Sequence, residues 1–107
     1  MPTIESTAPY ATFINVFKCD PASQEDVVRI NVEIVENVAV HSAGFISASV
    51  HRSVDGTRVF NYLQWETPQH LAEMQASGAF REVAQGFAGL IEFEPHQCEV
   101  AHVSAPM

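Results

Sequence analysis

The chain has 107 residues, 47% of them hydrophobic, with 13 acidic and 5 basic side chains and a formal net charge of −8. That length and apolar content fit one folded domain over 11–104, between a flexible arm (1–10) and a short tail (105–107), and exclude a disordered chain. The acidic balance repels phosphate backbones and anionic lipid, so nucleic-acid and membrane partners are excluded. No apolar run approaches the ~20 residues of a membrane span and no signal-peptide pattern opens the chain, so a cytoplasmic location is expected.

Alternation predicts a first strand from Ala11 to Cys19, with Phe13, Asn15, Phe17 and Cys19 on one face and Thr12, Ile14, Val16 and Lys18 on the other. Asp20-Pro21-Ala22 breaks it. Ser23 before Gln24-Glu25-Asp26 predicts a capped helix start with acidic residues where the helix dipole favours them. The helix is expected to run to about His41 on a stripe of Val27, Ile30, Ile34 and Val38, and Gly44 ends it. Phe45–Ser53 and Thr57–Glu66 form a hairpin through Asp55-Gly56. A turn with those two central residues sets Arg52 opposite Val59, Val50 opposite Asn61, Ala48 opposite Leu63 and Ile46 opposite Trp65. Thr67-Pro68 begins a short helix to Met74 or Gln75, and Ser77-Gly78 separates it from a second helical stretch, Ala79 to Phe87. A last strand is expected over Glu94–Ser104.

The order strand, helix, strand, strand, helix, strand predicts an α+β, ferredoxin-like antiparallel sheet with its last strand beside the first. Cys19 and Cys98 lack any CxxC spacing, read as free thiols, and are placed as neighbours by that topology. The histidines show no ligand spacing, so no metal is expected. The third strand carries the chemistry. Asn61, Leu63 and Trp65 share a face, where a carboxamide and an indole N–H on an apolar wall suit a flat, oxygen-bearing aromatic molecule. A packed Trp and a satisfied Asn are the alternative. The opposite face, with Phe45, His51, Phe60 and Tyr62, suits another subunit, and it takes His51 away from Asn61.

The strings Gly44-Phe45-Ile46-Ser47-Ala48, Asp55-Gly56-Thr57 and Asn61-Tyr62-Leu63-Gln64-Trp65-Glu66-Thr67 resemble the antibiotic biosynthesis monooxygenase family, over nearly all of Phe13–Val103. The resemblance implies a homodimer whose sheets face each other as an α+β barrel. It is nearest to the polyketide-tailoring members, which oxidise anthrone or hydroquinone rings to quinones with O₂ and without cofactor. By the same resemblance Asn61 and Trp65 hold the substrate oxygens and Arg81 assists proton movement. Asn15, Phe17, Ile46, Leu63, His70 and Leu71 complete the expected pocket. A family tyrosine six residues beyond the tryptophan is Leu71 here. The haem-ligating histidine of haem-degrading relatives is replaced by Gln75, which weakens that reading. A non-catalytic binder of small aromatic ligands is the other alternative.

Overall fold

The computed structural model describes residues 10–106, so most of the expected arm, residues 1–9, and Met107 lie outside it. Strand β1 (Ala11–Lys18) runs through an antiparallel sheet, and its alternation sets the two faces. Phe13, Asn15 and Phe17 are buried while Ile14 between them is exposed. Strand β3 (Arg58–Trp65) pairs along all of β1, and β2 (Phe45–Arg52) pairs with β3. On the other side of β1 lie two short strands, β4 (Glu92–Glu94) and β5 (Gln97–Cys98). The order β2-β3-β1-β4 is the ferredoxin-like, α+β arrangement.

The last strand differs from expectation. It starts earlier, ends at Cys98, and is interrupted at Pro95-His96. Pro95 has no N–H to give the ladder. His96 accepts from the Ile14 N–H at 2.9 Å but turns its own N–H to the Asn15 side chain. Cys98 therefore stands opposite Thr12, at the far end of β1 from Cys19, and the expected thiol neighbourhood does not exist. Seven residue steps of extended chain separate Thr12 from Cys19, roughly 23 Å. Burial, with Asp20 beside it, pushes the Cys19 thiol up.

Helix α1 (Gln24–Asn37) lays Val27, Ile30 and Ile34 on the sheet and ends four residues before His41, followed by a 3-10 turn, Ala39–His41. Ser23 belongs to a preceding 3-10 turn and makes no capping bond. The helix start is tied down instead by Gln24, whose Nε2 donates to the carbonyls of Ser53 (2.9 Å) and Arg58 (3.0 Å) in the hairpin.

The hairpin keeps the expected register from Arg52–Val59 to Ala48–Leu63, although its turn sits one residue earlier: Gly56 N–H donates to Ser53 C=O. A bulge then intervenes, and Trp65 faces Phe45 instead of Ile46. Phe45 joins the helix-side core, contrary to its expected place on the outer face. Helix α2 (Pro68–Gln75) is capped by Thr67 Oγ1, which accepts from His70 N–H, and α3 (Gly78–Ala84) by Ser77 Oγ, which accepts from Phe80 N–H. A 3-10 turn, Gln85–Phe87, follows α3. Among the described residues no helix is long and apolar enough to cross a membrane.

Candidate active site

The helix-side face of β1 and β3, with α1, α2, α3 and the segment after α3, encloses a cavity of about 190 Å³. Phe17, Leu63, Leu71 and Phe80 supply apolar wall. At one end the Phe17 ring stacks with Phe87 (centroids 5.3 Å apart) and tilts against Phe93 (4.9 Å). Phe93 lines the cavity and is 46% exposed, so at this aromatic mouth the cavity lining continues onto the protein surface.

The polar part of the lining comes from Asn15, Asn31, Asn61 and Gln75, and no lining residue among those described is titratable. Asn15, Asn31 and Asn61 are 5%, 2% and 8% exposed, so their amides must find partners inside the protein. They find one another. Asn15 Nδ2 donates to Asn61 Oδ1 at 2.7 Å, and Asn61 Nδ2 donates to Asn31 Oδ1 at 3.0 Å. Register brings Asn15 and Asn61 together, since they face each other across the β1–β3 ladder. Asn31 comes from α1 and is anchored by donation to Val27 C=O at 3.0 Å. Each carboxamide carries two N–H bonds and these contacts use one, so donors remain that could meet a bound oxygen. Amide N–H groups fixed in an apolar enclosure stabilise a developing oxyanion without carrying charge themselves.

The model of the antibiotic biosynthesis monooxygenase family matches residues 11–86. The chain belongs to the antibiotic biosynthesis monooxygenase family. It is 31% identical over 102 residues to the tetracenomycin-F1 monooxygenase of Streptomyces glaucescens, covering 95% of this chain and 91% of that one. An anthrone oxidase-like protein shares the fold with a TM-score of 0.83 and 27% identity, over 94% of this chain and 43% of the longer one. SnoaB of Streptomyces nogalater, a cofactor-independent oxygenase, superposes with a TM-score of 0.73 and 20% identity, over 94% of this chain and all (100%) of that one. This family member is a monooxygenase.

Of the residues that sequence singled out in this monooxygenase, Asn15, Phe17, Asn61, Leu63 and Leu71 line the cavity. Trp65, Ile46, His70 and Arg81 are not among the lining residues. Trp65 is fully buried (0%) behind the wall, clustered with Leu63, Leu71 and Met74, and its Nε1 has no hydrogen-bond partner among the described residues. Ile46 is the residue the β2 bulge takes out of register. His70 is held near its own helix start, with Nδ1 2.8 Å from Thr67 Oγ1 and its ring against Gly44. Arg81 lies exposed on α3. His51 pairs with Phe60 and is exposed on the far side of the sheet, as expected.

Asn31, Phe87 and Phe93 were not singled out. Asn31 had a signal: it lies four residues after Val27 and three before Ile34, a polar residue on the apolar stripe of its helix. Phe87 entered only as the end of the second helical stretch expected from Ala79. Phe93 falls before the expected start of the last strand and carried no signal.

Proposed function

We propose that the chain oxidises an anthrone or hydroquinone ring to a quinone with O₂ and no cofactor, the substrate oxygen resting on Asn61. The observation that carries this reading is the buried amide cluster in an apolar cavity without an ionisable wall. Such a site cannot supply a strong base, so it suits a substrate acidic enough to ionise on its own. Its N–H donors favour the electron-rich anion, which can pass an electron to O₂. For an anthrone one oxygen atom ends in the new carbonyl, and the other leaves as water with the two methylene hydrogens.

Trp65 shares the face of Asn61 roughly 13 Å along β3. Its unpaired Nε1 lies behind the cavity wall and becomes the next donor only where a longer ring system displaces Leu63. Arg81 has an assisting role only if substrate or a partner subunit brings it to the cavity. The partner is a second copy of the chain, supported by the partly apolar outer face of the sheet, where Ile14 is 36% exposed and pairs with Tyr62. Two separated thiols accord with a reducing, cytoplasmic setting.

The test is O₂ consumption with dithranol, using protein freed of metal and flavin. One O₂ per anthrone is expected, and Asn61→Ala lowers kcat by about 10²-fold, the usual cost of losing an oxyanion donor. Wild-type protein at the background rate, or Asn61→Ala at the wild-type rate, sinks the proposal. A cavity without an ionisable residue also suits a non-catalytic aromatic-ligand carrier; tight anaerobic binding of dithranol with no O₂ uptake on aeration identifies that case.

A further inference from the structure

We infer that Asn15, Asn61 and Asn31 form one directional hydrogen-bonded string, and that Asn31 is a positioning residue that, with Asn15, fixes how the Asn61 amide is presented to the cavity. A carboxamide can be turned end for end at little cost, so an isolated Asn61 would offer the cavity either its oxygen or its N–H bonds. Here both ends of the string remove that freedom. At one end His96 contributes a backbone N–H, which can only donate, 3.4 Å from Asn15 Oδ1. At the other end Val27 contributes a backbone carbonyl, which can only accept, 3.0 Å from Asn31 Nδ2. Asn15 must therefore turn its oxygen to His96 and its Nδ2 to Asn61, while Asn31 must turn its Nδ2 to Val27 and its oxygen to Asn61. The two ends dictate the same orientation for Asn61, with Oδ1 toward Asn15 (2.7 Å) and Nδ2 toward Asn31 (3.0 Å).

The string crosses three parts of the fold: the β4–β5 junction, the two central strands and α1. The interruption of the last strand serves it, because the His96 N–H is turned from the β1 backbone to the Asn15 side chain. Aligned amides polarise one another in the same sense, which strengthens the N–H groups left for a ligand. Because no member titrates, the donor strength does not change with pH.

The inference reaches catalysis only through the oxidase reading, so its test reads the string directly. Side-chain NH₂ exchange with solvent is followed by ¹⁵N NMR in the wild type and in Asn31→Leu, Asn31→Ser and Asn31→Asp, with exposed Asn37 as the internal reference. Asn31→Leu removes the acceptor of Asn61, and exchange at Asn61 is expected to rise about tenfold, the equivalent of one lost net hydrogen bond. Exchange at Asn15, which donates to Asn61 and not to Asn31, is expected to rise with it. Asn31→Ser keeps the back-bond to Val27 through its hydroxyl but cannot reach Asn61, so it gives the same result with the helix intact. Asn31→Asp, which burial at this position holds protonated, keeps an acceptor for Asn61 and an O–H for Val27, and restores protection. Unchanged Asn15 and Asn61 exchange in folded Asn31→Leu or Asn31→Ser overturns the inference, as does failure of Asn31→Asp to restore protection. With dithranol, the Leu and Ser variants lower kcat while KM stays within about threefold, the pattern of an interaction made in the transition state. If exchange responds as stated and wild-type protein never consumes O₂, the string stands and the oxidase reading falls.

Discussion

Phe45 and Trp65 face each other across the β2–β3 ladder with ring centroids 5.5 Å apart and planes at 81°. The bulge at Ile46 makes this contact, since a regular ladder would have put an aliphatic side chain there. Trp65 is wholly enclosed, yet its Nε1 is unpaired among the described residues, so the indole contributes by packing while its N–H costs desolvation. Phe45→Ala is expected to destabilise by about 2–4 kcal/mol, the loss of a partly buried aromatic pair. Trp65→Phe, which deletes the unpaired donor along with some volume, should cost less, under about 2 kcal/mol. Urea unfolding of both variants checks this. A Trp65→Phe cost above that of Phe45→Ala would mean the indole N–H is satisfied in solution.

A second contact explains why position 44 is glycine. Gly44 has φ +82°, and a Cβ there would stand 2.6 Å from Cδ2 and Nδ1 of His70, and nearer still to Cγ. Gly44→Ala thus meets backbone strain of about 1–2 kcal/mol and a steric clash as well. Pairing it with His70→Ala removes the clash and leaves the strain. Thermal unfolding of the singles and the double mutant should show coupling of at least about 1 kcal/mol. Additive effects would show that the ring moves aside freely.

These two contacts mark how far the sequence could be read. Alternation in Phe13–Phe17 and Val59–Trp65 sets buried faces, so β1, β3 and their helix-side residues followed from pattern alone. The turn register was also legible as far as Ala48, because Arg52, Val50 and Ala48 count outward from Asp55-Gly56. A bulge inserts a residue without any composition signal, so Phe45 and Ile46 exchanged places. The last strand was misjudged because the interruption depends on a long-range bond from His96 to Asn15. Asn61 and Asn15 stood out as polar residues on apolar strand faces. Asn31 was the same signal on a helix, where polar residues are common enough to hide it.

The hairpin turn has a titratable fastener. Asp55 Oδ1 accepts from Thr57 Oγ1 (2.7 Å), Thr57 N–H (3.0 Å) and Ser53 Oγ (2.8 Å). The Thr57 hydroxyl, then the Thr57 N–H and the Ser53 hydroxyl, hold its carboxyl down at about 2, from an ordinary 3.8. With the folded value below the unfolded one, the stabilisation is full above pH ~3.8 and is lost as pH falls through ~2. Asp55→Asn retains an acceptor but does not titrate, so its Tm should fall less steeply between pH ~4 and ~2. Parallel acid limbs for the two proteins would count against this role. Glu94, lowered by Lys18, titrates in both and cancels in the difference.

The outer face of the sheet gives the proposed dimer a separate test. Ile14 lies opposite Tyr62 at the middle of the β1–β3 ladder, and Tyr62 in turn pairs with Ser49 of β2. Ile14→Glu puts a charge on that face without touching the cavity, and a self-associating surface does not tolerate buried unpaired charge. Sedimentation should give twice the chain mass for the wild type and a single chain mass for the variant. A variant that stays dimeric would move the interface elsewhere.

The aromatic mouth should govern which ring systems enter. A cavity of about 190 Å³ is little larger than the ~150 Å³ that holds benzene in an engineered protein core. A three-ring substrate therefore requires the Phe17–Phe87–Phe93 cluster to open, and Phe93 is its most exposed member. Phe93→Ala removes a ring that packs on Phe17 without touching the asparagine string. Its expected effect is a rise of about threefold or more in kcat/KM for dithranol relative to a one-ring hydroquinone, from about 1 kcal/mol of opening cost avoided. Paired O₂-uptake assays on the two substrates supply the ratio. If Phe93→Ala slows both equally, the ring serves to shield the cavity from water and does not select by size.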